Sequence, residues 1–230
     1  MKIENAIRRL RRALMILIRP SGSYWMAVKS LKPLSSKFGY DRGTPIDRFW
    51  IESFLELNTK RIKGKCLEVT DSTYAEKFGG PKITSIDVLD INRKNRQANI
   101  HDDLRHLRSI KSNTYDCIIL THVLGLIDDF DSAIKQCHRV LKPGGALLAT
   151  SSCFSPTYDT SVNFWRFTKA GYGYAFGKYF SPKHLTVTTY GNVLSGQCFW
   201  VGMAQEELTR QQLEYNDPRY PCIVTALAIK

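Results

Sequence analysis

Thr114–Ser152, TYDCIILTHVLGLIDDFDSAIKQCHRVLKPGGALLATSS, leaves this chain few folds to choose from. Cys117-Ile118-Ile119-Leu120 is a short apolar run of the kind that forms a strand buried on both faces of a parallel sheet. Asp128, Asp129 and Asp131 then offer N-cap and first-turn carboxylates to a helix. Ala133, Ile134, Cys137, Val140 and Leu141 fall on one side of that helix. Lys142-Pro143-Gly144-Gly145 stops it, because Pro cannot continue a helix and Gly accepts the left-handed turn. A second apolar run, Ala146 to Ala149, follows at once. A strand, a helix and a strand in this order make a complete crossover unit, of the kind from which parallel α/β sheets are built.

The wording YDCIILTHVLGLIDD…AIKQCHRVLKPGGALLATSS also resembles the fourth strand, following helix and fifth strand of class I S-adenosylmethionine (SAM)-dependent methyltransferases, with HRVLKPGG its most specific part. The resemblance extends over about residues 41–230. It implies an α/β Rossmann-like domain, with a mostly parallel seven-stranded sheet, helices on both faces and a C-terminal antiparallel hairpin. It implies SAM as cofactor.

The remaining segments can be read against that expectation. Thr44 caps a helix with Pro45 at its first position, and the helix runs to about Lys60. Cys66–Val69 is the first strand, Ile83–Val88 the second and Ala98–Ile100 a short third. Beyond Ser152, a Gly- and aromatic-rich helix runs to about Phe180. Leu185–Tyr190 alternates as a strand, Val193–Glu207 is helical, and Ile223–Ile229 is a last apolar strand.

A chain of 230 residues supports one sizeable core plus an arm. The net charge is +12, but residues 1–40 alone carry nine Lys/Arg and one Glu, which leaves only +4 for the rest. Most of the basicity therefore belongs to an arm, which argues against a nucleic-acid partner. Residues 1–36 are expected to be a basic helix (Ile3 to Ile18) and a linker, and residues 37–230 the domain. The apolar run Ala13–Ile18 is too short to span a bilayer. With Arg8, Arg9, Arg11, Arg12 and Trp25 nearby, residues 1–20 suit either an anionic membrane surface or docking on protein. The six cysteines show no CxxC and lie mostly in apolar runs, so they read as reduced core residues of a cytoplasmic protein. The histidines show no metal-ligand spacing.

The candidate site residues sit at strand ends. In the family the first strand leads to an acid-x-G-x-G-x-G turn against the cofactor. Here the turn reads Glu68-Val69-Thr70-Asp71-Ser72: the acid is present and the glycines are not. Thr70, Asp71 and Ser72 must therefore shape the cofactor turn another way, with Asp71 and Ser72 capping the helix Thr73–Phe78. Asp87 lies 19 residues after Glu68, where a carboxylate would hold the ribose hydroxyls; the alternative is Asp90 or a simple strand-end Asp. The resemblance implies that Asp102 or Asp103 accepts from the adenine amino group and that Thr121 lines the cofactor site.

His122 follows the fourth strand where acceptor and sulfonium would meet, and an imidazole suits a general base. It could equally be structural. Tyr158, Trp165 and Arg166 are candidate acceptor contacts, Arg166 for a carboxylate or phosphate. It could instead pin a helix start through a carbonyl. The expected activity is methyl transfer to a small molecule or glycan, with oxygen as the acceptor atom. Loss of activity and service as a binding module is the alternative. A nicotinamide oxidoreductase is disfavoured, because no GxGxxG follows the first strand.

Overall fold

The computed structural model describes residues 30–157 and 162–230. The basic helix expected over residues 3–18 and the candidate contact Tyr158 lie outside the described residues. The chain divides after Leu34, and Ser35–Lys230 forms the unit that carries the sheet.

Twelve helices and strands follow one another among the described residues. They are α1 (Ile46–Leu57), β1 (Gly64–Val69), α2 (Thr73–Gly79), β2 (Ile83–Leu89), β3 (Tyr115–Thr121), α3 (Phe130–Val140) and β4 (Leu141–Ser152). After these come α4 (Lys169–Gly177), β5 (Leu185–Tyr190), α5 (Val193–Val201), α6 (Arg210–Glu214) and β6 (Ile223–Ile229). The strands form one sheet in the order β2-β1-β3-β4-β6-β5. β1 pairs parallel with β2 and β3, and β3 with β4, while β6 runs antiparallel between β4 and β5.

The sheet therefore has six strands where seven were expected. Ala98–Ile100 contributes only an isolated bridge between Leu89 and Ile100. The reason is local: the Asn99 side chain accepts from the Val88 N–H at 2.7 Å, taking a ladder position that a backbone carbonyl would otherwise fill. The long helix expected over Val193–Glu207 also ends early, at Gly202, which adopts the left-handed conformation (φ +80°). Residues Gln205–Glu207 are a separate 3₁₀ turn. α1 begins at Ile46 after Pro45, without a side-chain cap from Thr44, and ends at Leu57 rather than near Lys60.

Side chains alternate between the two faces of each strand, so the sheet divides the core in two. Leu67, Ile118, Leu120, Leu147 and Ala149 pack with α3 and α4 on one face. Cys66, Cys117, Ile119 and Leu148 pack with α1, α2 and α5 on the other. All six cysteines are free thiols, five of them buried. α3 starts as its sequence dictates, with the Asp129 carboxylate accepting from Ser132 N–H at 3.0 Å. α1 buries Ile46, Trp50, Ile51, Phe54 and Leu55 along one stripe, and Asp47 is buried with them.

Candidate active site

The C-terminal ends of β1, β2 and β3 open onto a cavity of about 430 Å³, where open α/β sheets bind ligands. Its apolar walls include Val69, Leu89, Leu104, Val123 and Leu126, and its polar lining includes Thr70, Asp90, Asp102, Asp103 and Arg105. The volume falls within the roughly 300–1,000 Å³ usual for small-molecule sites.

The glycine-poor turn after β1 is made without glycine. Thr70 takes φ +80°, a conformation that a β-branched residue rarely adopts. It is held there on both sides: its N–H donates to Leu89 O at 2.9 Å and its carbonyl accepts from Asn95 Nδ2 at 2.6 Å. Glu68 is 1% exposed and lies outside the cavity lining. Its two oxygens accept the N–H groups of Tyr74 (3.1 Å) and Ala75 (2.7 Å), anchoring the start of α2 to the end of β1. Burial pushes its carboxyl up to about 7, against the pull of those two bonds. Asp71 accepts from Thr73 N–H at 2.9 Å, and Ser72 donates to Glu76 Oε1 at 2.6 Å. Both act on the turn and on α2, and neither lines the cavity.

Asp87 does not reach the cavity. It lies inside β2, where its carboxylate meets Lys65 Nζ at 2.9 Å, Tyr115 OH at 2.9 Å and Asn99 Nδ2 at 2.8 Å. Burial raises its carboxyl, but these three partners outweigh burial and hold it below the usual carboxylate range. The strand-end acid in the cavity is Asp90, fixed by Asn92 N–H at 2.8 Å and Asn95 Nδ2 at 2.7 Å. The strand runs one residue past Val88, and the acid at its edge is the one after Leu89.

Asp102 and Asp103 both line the cavity. Asp102 accepts from Ser109 N–H at 2.8 Å and Ser109 Oγ at 2.6 Å. Burial acts upward on Asp102, but its hydrogen bonds, those from Ser109 foremost, keep its carboxyl low. Asp103 is held low first by Arg105, whose guanidinium spans Asp103 (2.6 Å) and Asp128 (2.7 Å). Thr121 is paired with Thr150 in the sheet and lines neither this cavity nor the smaller one beside it.

That second cavity, about 20 Å³, is lined by His122, Asp47, Ser152, Trp165, Arg166 and others, and Leu126 borders both. His122 follows β3 with φ +57° and donates its backbone N–H to Thr150 O at 2.9 Å. Its Nδ1 lies 3.2 Å from Ser152 Oγ, and its Nε2 lies 3.1 Å from Asp47 Oδ2. The two atoms are close, but the geometry is not that of an aligned hydrogen bond. Burial alone would raise the Asp47 carboxyl, but His122 and the charge of Arg48 hold it below its ordinary value.

Trp165 donates its indole N–H to Ile127 O at 2.9 Å and packs edge-on against Phe130. Arg166 donates to the carbonyls of Trp165 (3.1 Å), Ser155 (3.4 Å) and Pro156 (3.4 Å), which lie in the loops and not at a helix start. Sequence reasoning missed Asp47 and Ser152. Asp47 had a signal: a carboxylate inside the apolar stripe of α1 must find a partner in the core.

Residues 68–149 match the family described as methyltransferase domain. A 56-residue stretch is 41% identical to the ubiquinone/menaquinone biosynthesis C-methyltransferase of Haemophilus ducreyi. That stretch is 24% of this chain and about a fifth (21%) of the length of the curated relative. Among solved structures, a SAM-dependent methyltransferase from Archaeoglobus fulgidus superposes with a TM-score of 0.54 at 11% identity, covering 80% of this chain and 94% of that one. An S-adenosylmethionine-dependent methyltransferase from Mesorhizobium loti gives 0.54 at 14% identity, covering 80% and 98%. At such identities the likeness is one of fold, and the family match rests on the sequence of β1 to β4. Residues 68–149 are thus similar to the methyltransferase-domain family, and the sheet shares the fold of those SAM-dependent methyltransferases.

Proposed function

We propose that the protein transfers the methyl group of SAM to an oxygen of a small-molecule or glycan acceptor. The observation that carries this reading is the 430 Å³ cavity at the strand ends, with four carboxylates and an apolar wall. The residues present fit SAM. Asp90, at the edge of β2, is the acid for the ribose hydroxyls. Asp102 and Asp103 would accept from an adenine amino group, and Leu89, Leu104 and Val123 would offer faces for the ring. An acid-lined wall also complements the positive charge of a sulfonium. When bound, SAM supplies an electrophilic methyl group.

The protein's contribution is alignment and exclusion of water. Glu68 fixes the first turn, Arg105 holds the Asp103 and Asp128 walls together, and Leu126 divides the cofactor cavity from the acceptor side. His122 faces that acceptor side. Thr70 takes the backbone conformation that glycine would have supplied, which favours a working turn over a lost one.

Calorimetry with S-adenosylhomocysteine tests the reading. Micromolar binding by the wild type, weakened about tenfold or more in Asp90→Ala, is the expected result. No binding by the folded wild type would overturn it and leave a methyltransferase-like binding module.

A further inference from the structure

We infer that His122 and Asp47 form a proton-accepting dyad whose working atom is His122 Nδ1, and that the acceptor brought to it is a neutral hydroxyl. The inference rests on the methyl-transfer reading above and deepens it by naming the acceptor group and a positioning residue that lies outside the matched segment.

The geometry sets the two ring nitrogens apart. Nε2 is shielded from solvent and lies 3.1 Å from Asp47 Oδ2, while Nδ1 lies 3.2 Å from Ser152 Oγ at the small cavity. Asp47 is a buried carboxylate in the core stripe of α1, and its Oδ1 has no hydrogen-bond partner among the described residues. The charged or titratable groups that act on it are His122 across the sheet edge and Arg48 beside it, and its own charge is felt at Tyr74 and Cys222. The Arg48 guanidinium donates to Tyr74 OH and Tyr40 OH. His122 is therefore the group placed to share a proton with Asp47.

A carboxylate beside Nε2 selects the tautomer that carries the proton there, which leaves the Nδ1 lone pair for Ser152 and for whatever enters the cavity. The cavity has room for about one water-sized oxygen. A hydroxyl seated there gives its proton to Nδ1, directly or through Ser152 Oγ. The O–H bond breaks, an N–H bond forms, and the electron pair stays on the acceptor oxygen for attack on the methyl group. Asp47 offsets the charge of the imidazolium that results, and the unaligned approach at 3.1 Å is a contact that tightens when the ring is charged. After transfer the proton leaves to solvent. A carboxylate or a free amine is nucleophilic without help, and neither would need a proton store that costs a buried charge pair. The left-handed backbone at His122 is a further sign: strain of this kind persists where a side chain must be aimed.

The first test needs no ligand. In ¹⁵N-histidine-labelled wild-type protein at pH 8, two-bond ¹⁵N–¹H correlations should give His122 a protonated Nε2 and an unprotonated Nδ1. Asp47→Asn should abolish that preference, with Asp47→Ala as a second variant should the first not fold. A proton on Nδ1, a doubly protonated ring at pH 8, or an unchanged tautomer in a folded variant would overturn the dyad. S-adenosylhomocysteine calorimetry reports separately on the cofactor reading. For the acceptor class, phenol, methyl glucoside and benzoate are offered with radiolabelled SAM. Methyl ether formation supports the proposal, and methyl benzoate formation overturns it.

Discussion

Glu68 gives the sharpest stability test, because two opposing forces act on one carboxyl. It is 1% exposed, and burial favours its neutral form, whereas the N–H groups of Tyr74 and Ala75 favour its ionised form. Burial dominates, and the carboxyl rises from 4.5 to about 7. Between those two values the folded chain keeps a proton that the unfolded chain has released, so stability falls as pH rises. The contribution is complete below pH 4.5 and is lost as pH passes through about 7. At about 1.4 kcal/mol per pH unit, the gap amounts to about 3 kcal/mol. Glu68→Gln cannot titrate, and it turns an amide NH₂ toward one of the two N–H groups, so it is destabilised at low pH. Urea unfolding followed by tryptophan fluorescence at intervals from pH 4.5 to 8.5 gives both curves. The advantage of wild type over variant should shrink by about 3 kcal/mol across that window. An advantage that stays flat or grows with pH would mean that the two N–H bonds win and that Glu68 is ionised throughout, refuting the argument.

Thr70→Gly relieves a left-handed β-branched residue and should stabilise the fold by about 1 kcal/mol, as read by the shift of the urea midpoint. Asp87→Ala removes the partner of Lys65, Asn99 and Tyr115 and should lower the melting temperature while leaving S-adenosylhomocysteine affinity unchanged, the reverse of Asp90→Ala. With a hydroxyl acceptor, His122→Ala should lower turnover by roughly 10²–10⁴-fold, with partial recovery at high pH, and should leave cofactor affinity unchanged. We propose that the basic residues preceding Ser35 hold the protein on anionic lipid. Removing residues 1–34 should abolish salt-sensitive binding to phosphatidylserine vesicles and leave the circular dichroism of the remaining domain unchanged.

Much of this architecture can be read from residues alone. The crossover from β3 through α3 to β4 is written in two apolar runs, an Asp-rich helix start and a Pro-Gly-Gly stop, all local signals. The site is less legible, because its decisive features are not local. Whether an acid on β2 meets the cofactor depends on where the strand ends. The difference between Val88 and Leu89 decides that Asp90, and not Asp87, lines the cavity. The short third strand fails because one asparagine side chain occupies the ladder position, a choice that strand propensity does not encode. Asp47 and His122 stand 75 residues apart, and only the packing of α1 beneath the sheet edge joins them.

That packing has a consequence for how the protein is made. The segment leading into α1 is tied to residues near the other end of the chain. Ser35 N–H donates to Val201 O, Arg42 pairs with Glu207, Thr44 N–H donates to Glu206, and Pro45 bridges to Ala204. Trp50 Nε1 donates to Leu213 O at 2.9 Å. On a ribosome, α1 emerges early and then waits on the order of ten seconds for these partners to be translated. Throughout that interval the face carrying Ile46, Trp50, Ile51, Phe54 and Leu55 has β1, α2 and β3 to pack against, but not yet α5, α6 and β6. The residues lining the large cavity through Asp128 are all translated well before that wait ends. Those residues therefore precede in the chain the partners that hold α1, and with it Asp47, in place.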